Sequence, residues 1–264
     1  MPRIGFVLLC SSLLAVGCAA PLGGPQPVGE AAQAENGNGG PFDVAFAGCR
    51  EVANVGEMPT ANARPLVPAQ YALLGDGGPV TPFVVRSVHC DSISVGEGSD
   101  APGNLIQIGF LIVGPDGDGD INNYTVYYDT NHARLAERLR MVGVPVRDVP
   151  LLSESVALNP DGSGNYDFKV PAPFDPPLEF AGPVGAPVGG PIPFVANWWA
   201  TANGVTVKMS STFPQLFIAG NDVALTVPAG SPLGDLLGAS TVTSWPVLAL
   251  FDNFPSAEMH VTLR

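Results

Sequence analysis

Lysine is almost absent. The chain has 264 residues and two lysines, Lys169 and Lys208. Lys and Arg together number 11 against 24 Asp and Glu, for a net charge of −13. A nucleic-acid binder needs a basic face to displace phosphate counterions, so that class is excluded. Charge-driven binding to an anionic lipid surface is excluded on the same ground. Charge of either sign is scarce, at 13%, while hydrophobic residues make up 46%. That balance does not describe a disordered acidic tail. No apolar run reaches the roughly 20 residues that span a bilayer. Cys-x-x-Cys and His-x-x-x-His pairs are missing, so no zinc site is visible among His89, His132 and His260. Without a Gly-x-Ser-x-Gly elbow, a hydrolase triad has no anchor. There is no Gly-rich phosphate loop, no internal repeat, and no pattern that calls for a cofactor.

Glycine and proline are plentiful, at 32 and 28 residues. They break long helices and favour short strands joined by turns. The longest apolar run, Ile4–Val16, follows a basic start at Arg3 and reads as a signal peptide over residues 1–17. Leu14-Ala15-Val16-Gly17-Cys18 looks like a bacterial lipobox, which would lipidate Cys18; cleavage after Ala20 is the alternative. Ala19 is not Asp, so the outer membrane or cell surface is the expected address, or a secreted soluble form if Ala20 is the cleavage site. Residues 18–41 carry no hydrophobic period and form a tether with a reach of roughly 25–30 Å. A single β-rich domain is expected over residues 42–264. The Pro- and Gly-rich stretch 171–193 reads as a long surface loop within it. Of the four cysteines, Cys49 and Cys90 remain once the leader and Cys18 are set aside. In an oxidising compartment such a pair bridges; a redox or metal pair is the alternative, with only His89 adjoining.

Strands are expected over 44–54, 82–95, 104–114, 123–129, 164–170, 193–200, 203–210, 221–228, 241–251 and 257–263. Ala202-Asn203-Gly204 marks a hairpin. One main helix is expected over about 131–142, capped by Asn131, with Leu135, Leu139 and Val142 on one face and Gly143 and Pro145 ending it. Shorter helices are expected at 61–66 and at 232–237, the latter between Ser231 and Gly238.

A strand, a single amphipathic helix and a Gly-x-Pro turn form an unusual series inside a β pattern. Here it runs Asn123-Tyr-Thr-Val-Tyr-Tyr-Asp-Thr-Asn131, the helix, then Gly143-Val144-Pro145-Val146-Arg147. This resembles the acetoacetate decarboxylase-like superfamily. Cys49-Arg50-Glu51-Val52 is similar to that family's early Arg-Glu strand, and Leu66-Val67-Pro68 to the close of the short helix that follows. The resemblance covers roughly residues 42–150. It implies a mainly β fold, a closed β-barrel or double-sheet domain with an internal pocket. It also implies a reactive lysine in the turn, where this chain has Val146, followed by Arg147. Arginine stays protonated and cannot replace an amine nucleophile, so Schiff-base decarboxylation is not expected. The family's acidic residue would fall near Glu97 or Asp100. Arg50 is placed to clamp a carboxylate, or is an ordinary edge-strand arginine.

Asp116, Asp118 and Asp120 alternate as calcium loops require, but Ile121 and Tyr127 stand where Gly and Glu belong; a solvated hairpin is the competing reading. Trp198-Trp199 sends one ring to each side of a strand. Trp198 and Tyr127 are candidate pocket walls or core residues.

Three functions fit. The first is a module binding a small, mostly apolar ligand, with a carboxylate or carbonyl oriented by Arg50 or Arg147 beside Val146, Tyr127 and Trp198. The second is an enzyme using Glu97 or Asp100 with His89 as acid or base. The third is a structural surface lipoprotein. The expected partners are a small molecule and, through an N-terminal lipid only, a membrane.

Overall fold

The computed structural model of the protein describes residues 39–172 and 177–264. The leader 1–17, Cys18 and the tether to residue 38 lie outside the described residues, as do residues 173–176 of the expected loop.

The chain begins with β1 (Phe42–Pro59), β2 (Val80–Val95), β3 (Ala101–Leu111), β4 (Ile121–Thr130) and the short β5 (Val146–Asp148). A meander follows: β6 (Ser153–Leu158), β7 (Gly164–Val170) and β8 (Leu178–Val184). The hairpin β9 (Ile192–Ala202) and β10 (Val205–Gly220) leads to β11 (Ala224–Thr226), β12 (Thr241–Val242) and the long β13 (Leu248–Leu263). Asn203 and Gly204 have φ of 51° and 79°, the left-handed pair that a two-residue hairpin needs.

Seven strands close into a barrel in the order β3-β2-β1-β13-β10-β9-β4, with β4 returning to β3. An odd ring cannot alternate direction throughout. The parity is absorbed at β4–β9, which pair in parallel, while the other barrel neighbours are antiparallel. A second, antiparallel sheet, β12-β11-β8-β7-β6, covers part of the barrel's outer surface. Phe83, Val85, Ile106 and Ile108 of the barrel meet Tyr166, Phe168, Phe180 and Leu225 of that sheet in one apolar layer. Polar ties cross the same layer. The Tyr166 hydroxyl donates to Ser87 Oγ at 2.9 Å, and Arg50 forms a bidentate pair with Glu154 at 2.6 and 2.9 Å.

Helix α1 (Thr60–Ala63) runs into a 3-10 turn at Arg64–Leu66, close to the expected 61–66. The main helix, α2 (Ala133–Met141), is capped by His132, whose Nδ1 accepts from the Leu135 amide at 3.2 Å. Asn131 is not the cap, because its amide is already held by Asn104 N and Leu152 O. The buried Leu135, Ala136 and Leu139 pack with Phe42, Val44, Ile93 and Val95, so α2 seals the barrel end at which β1 begins. Helix α3 (Pro232–Leu237) follows the expected cap at Ser231 and stop at Gly238.

Several expected boundaries differ; β10, for example, runs on to Gly220, past the expected end at 210. The 171–193 loop contains β8, because Leu178, Phe180 and Val184 face the apolar layer and pair with β7. Strand β6 was not anticipated, since most of its residues are exposed and it stands at a sheet edge. The candidates 241–251 and 257–263 give way to β12 and one continuous β13, which pairs β1 over most of its length.

Cys49 and Cys90 are direct cross-strand partners in the β1–β2 ladder and form a disulfide.

Candidate functional site

The barrel is not packed along its whole axis. At the end opposite α2 it holds a partly open cavity of about 160 Å³. That is close to the volume that accommodates a single benzene ring (about 150 Å³). Its walls are apolar: Ile121, Phe194, Trp198, Phe213, Ile218 and Leu250. Its floor is charged. Glu51 of β1, Arg86 of β2 and Asp252 of β13 project inward and are buried.

Register places these groups together. Glu51 is the cross-strand partner of Asp252, and Arg86 that of Gln107. Arg86 Nε donates to Glu51 Oε1 at 2.8 Å, and its Nη1 donates to Gln107 Oε1 at 3.1 Å. The guanidinium also lies over the Phe213 ring, 5.7 Å from the centroid. A belt of four polar side chains thus crosses four adjacent strands of a mostly apolar interior, with the buried Asn123 of β4 also on the cavity lining. Burial works against the Arg86 charge, but Glu51 outweighs it and the guanidinium's pKa stays raised. Burial pushes the Asp252 carboxyl well above the usual carboxylate range; the Glu51 charge adds to the rise and Arg86 opposes it. Burial likewise raises the Tyr128 phenol, which stands neutral behind Arg86.

The raised Asp252 pKa makes stability depend on pH. Between the ordinary carboxylate range and the raised value, the folded chain keeps a proton that the unfolded chain has released. The contribution is complete at low pH and is lost as pH rises through the folded value. Asp252→Asn removes the titration. Urea unfolding at a series of pH values from about 4 to about 8 should show the variant gaining steadily on the parent protein. Parallel curves for the two proteins would mean that Asp252 is ionised in the fold.

The residues singled out in the sequence lie in several places. Trp198 lines the cavity, and Trp199 takes the outer face, where its Nε1 donates to Asn122 Oδ1 at 2.9 Å. Val146 is buried beside α2 as the ladder partner of Tyr128 and does not line the cavity. Arg50 points outward to Glu154, and Arg147 points to Asp129, with Nε donating to Oδ1 at 2.6 Å. Neither reaches the cavity. Tyr127 packs against the outer apolar layer. Glu97 and Asp100 are exposed, and His89 bonds Asn104 Oδ1 through Nδ1 at 2.7 Å. These three are not brought together with the cavity. In the acidic loop, Asp116 receives Lys208 at 2.7 Å and Arg264 at 2.8 Å, and Asp120 accepts from the Val195 amide. Among the described residues no cluster of His, Cys, Asp and Glu is arranged to hold a metal ion. Lys208 lies on the barrel's outside beneath that loop, and Lys169 is half-exposed beside Asp167 and Glu179.

Glu51, Arg86, Asp252, Asn123 and Phe213 were not singled out as site residues by sequence. A signal did exist. Val84-x-Arg86-x-Val88 and Leu250-x-Asp252-x-Phe254 each set a charge on the apolar phase of an alternating strand.

No family model matches the chain, and no curated protein matches it in sequence. Solved structures do match its fold. The enduracididine biosynthesis enzyme MppR, complexed with the condensation product of pyruvate and imidazole 4-carboxaldehyde, aligns at a TM-score of 0.53 and 15% identity, over 92% of this chain and 98% of that one. Acetoacetate decarboxylase from Legionella pneumophila aligns at 0.53 and 11% identity, over 84% and 85%. An acetoacetate decarboxylase-like enzyme from Sphingomonas wittichii RW1 aligns at 0.50 and 11%, over 84% and 91%. The chain therefore has the acetoacetate decarboxylase-like fold, as the resemblance at residues 42–150 implied.

Proposed function

We propose that this is an exported protein, anchored by a lipid on Cys18, whose barrel binds a small, mostly apolar ligand without Schiff-base chemistry. One observation carries the reading. The barrel of an enzyme fold keeps an apolar cavity with charged side chains at its floor, and both lysines of the chain lie outside it. A ketone bound in the cavity meets no amine nucleophile. The walls supply burial, and the floor supplies orientation, which is the usual division of labour in a small-molecule site. The leader, Cys18 and the tether favour the bacterial cell envelope, with the domain held clear of the membrane surface.

The test is a native mass spectrum of the protein exported with its own leader, paired with borohydride treatment in the presence of acetoacetate or pyruvate. A small molecule retained under native conditions and lost on denaturation, with no mass fixed by borohydride, is the expected result. Diacylglyceryl mass on Cys18 is expected in the same spectrum. A reduced adduct on either lysine would overturn the non-Schiff-base reading. A clean apo mass with no stabilisation by small apolar compounds would overturn ligand binding.

A further inference from the structure

The floor of the cavity is charged but hidden. Glu51 Oε2, Asp252 Oδ1, Asn123 Oδ1 and Trp198 Nε1 have no protein partner, yet each is covered so fully that it presents almost no accessible surface. Arg86 is buried too, with Nε and Nη1 donating to Glu51 and Gln107 and the guanidinium over the Phe213 ring. The surface that the cavity offers a ligand is therefore almost wholly apolar. With Asp252 protonated and Arg86 cancelling Glu51, the floor also holds no net charge to draw an ion inward. A charged or hydrogen-bonding group carried to this depth would lose its water and find no partner in return. The floor thus orients a ligand by exclusion: the apolar end goes in and the polar end stays out.

The apolar surface does not stop at the cavity. Ile192 of the lining is 43% exposed, and Ile218, Leu248 and Leu250 are half-buried, so these residues mark the mouth. Two further aliphatic residues adjoin them. The Val188 amide donates to Ile218 O at 2.9 Å and the Val247 amide to Val55 O at 3.4 Å, and both valines are more than half exposed. Exposed apolar residues gathered at one opening mark a surface that a partner covers. The cavity itself has room for about six carbons, the size of one benzene ring. A single ring would fill it and leave the rim in water, whereas a chain fills it and continues over the rim. We propose that the cavity takes the terminal alkyl segment of a single-chain amphiphile, with about six carbons inside, the chain leaving past Val188, Ile192 and Val247, and the polar head in solvent. The assignment rests on the ligand-binding reading above and names its ligand class.

Selectivity then follows chain length and not charge. Each methylene that passes from water into the cavity strengthens binding about fourfold. The gain shrinks once the cavity is full, because the rim covers a chain on one side only. A short chain cannot fill the cavity without drawing its head in after it, so it binds poorly. Once the head clears the mouth, a carboxylate, a hydroxyl and an ammonium on the same chain bind alike.

The experiment uses the full chain and measures binding by calorimetry, with each probe below its micelle concentration. Butanoate, hexanoate, octanoate and decanoate vary the length, octan-1-ol and octylamine vary the head, and toluene supplies a ring. Affinity is expected to rise about fourfold per methylene from hexanoate to octanoate. Butanoate should bind weakest, and decanoate should gain less per methylene. Octanoate, octan-1-ol and octylamine should agree within about fivefold, since none of their heads is desolvated. Ala53 lines the cavity, so Ala53→Phe places a ring inside it and should abolish octanoate binding; if that variant does not fold, the length and head series of the parent protein decide alone. Octanoate held equally by Ala53→Phe lies outside the cavity and overturns the assignment. A spread well beyond tenfold among the three octyl heads, or toluene binding where octanoate does not, overturns the alkyl-chain assignment and leaves the cavity-binding reading standing. Binding of none of the probes overturns both.

Discussion

Arg86→Leu should cost about 3–5 kcal/mol of folding stability near neutral pH. The substitution removes the partner of a buried carboxylate while leaving the carboxylate in place. Glu51 would keep one oxygen without its donor and the other without any partner. Most of that cost is the penalty of an uncompensated buried charge, not the worth of the ion pair itself. One further measurement separates these terms. The double variant Glu51→Leu/Arg86→Leu should recover most of the loss, since apolar replacement of a buried pair is often near neutral. Urea denaturation of the three proteins reads all of these effects. A loss below about 1 kcal/mol for Arg86→Leu would mean that water reaches the pair in solution. The floor would then be wetter than its burial indicates.

The second large effect concerns the Cys49–Cys90 bridge. The cysteines are 41 residues apart in sequence and face each other across one rung of the ladder. Closing a loop of that length is worth roughly 3–4 kcal/mol through the entropy removed from the unfolded chain. Cys49→Ala/Cys90→Ala should therefore unfold at clearly lower urea with a larger m-value, because its unfolded state is less compact. Reductant should bring the parent protein to the same curve and leave the variant's midpoint where it was. The bridge also joins β1 to β2 close to where both strands deliver the cavity floor, Glu51 and Arg86. Its removal is expected to weaken ligand retention along with stability. Equal midpoints with and without the bridge would show that the β1–β2 ladder holds this region without help.

Some of this protein was written in local sequence. The capping of α3, the Asn203-Gly204 hairpin, the main helix and the split of Trp198 from Trp199 each depend on a few neighbouring residues, and each is found in the fold. The pairing of Cys49 with Cys90 followed from counting. The absence of lysine from the family-like turn at Val146 needed no coordinates either. The site did not follow in this way, and β1 shows why. Phe42, Val44 and Phe46 face the interior, so plain alternation carries the inward phase on to Arg50 and turns Glu51 away. The fold does the opposite. At Gly48, with φ of 60°, the pleat of β1 breaks, and Cys49, Glu51 and Ala53 take over the inward face. The same change of phase occurs on β13 between Ala257 and Phe254, and on β2 between Ile93 and Cys90. Three adjacent strands therefore turn together, and Arg50 leaves the interior for Glu154 of the covering sheet. Strand periodicity fixes which residues share a face over a few positions. Which face becomes the inside, and where three strands exchange it, depends on pairing between segments some 200 residues apart, as in Glu51 with Asp252. Composition and short-range pattern determined a β-rich chain with few amines. Barrel closure alone decided that Glu51, Arg86 and Asp252 would meet around an apolar space.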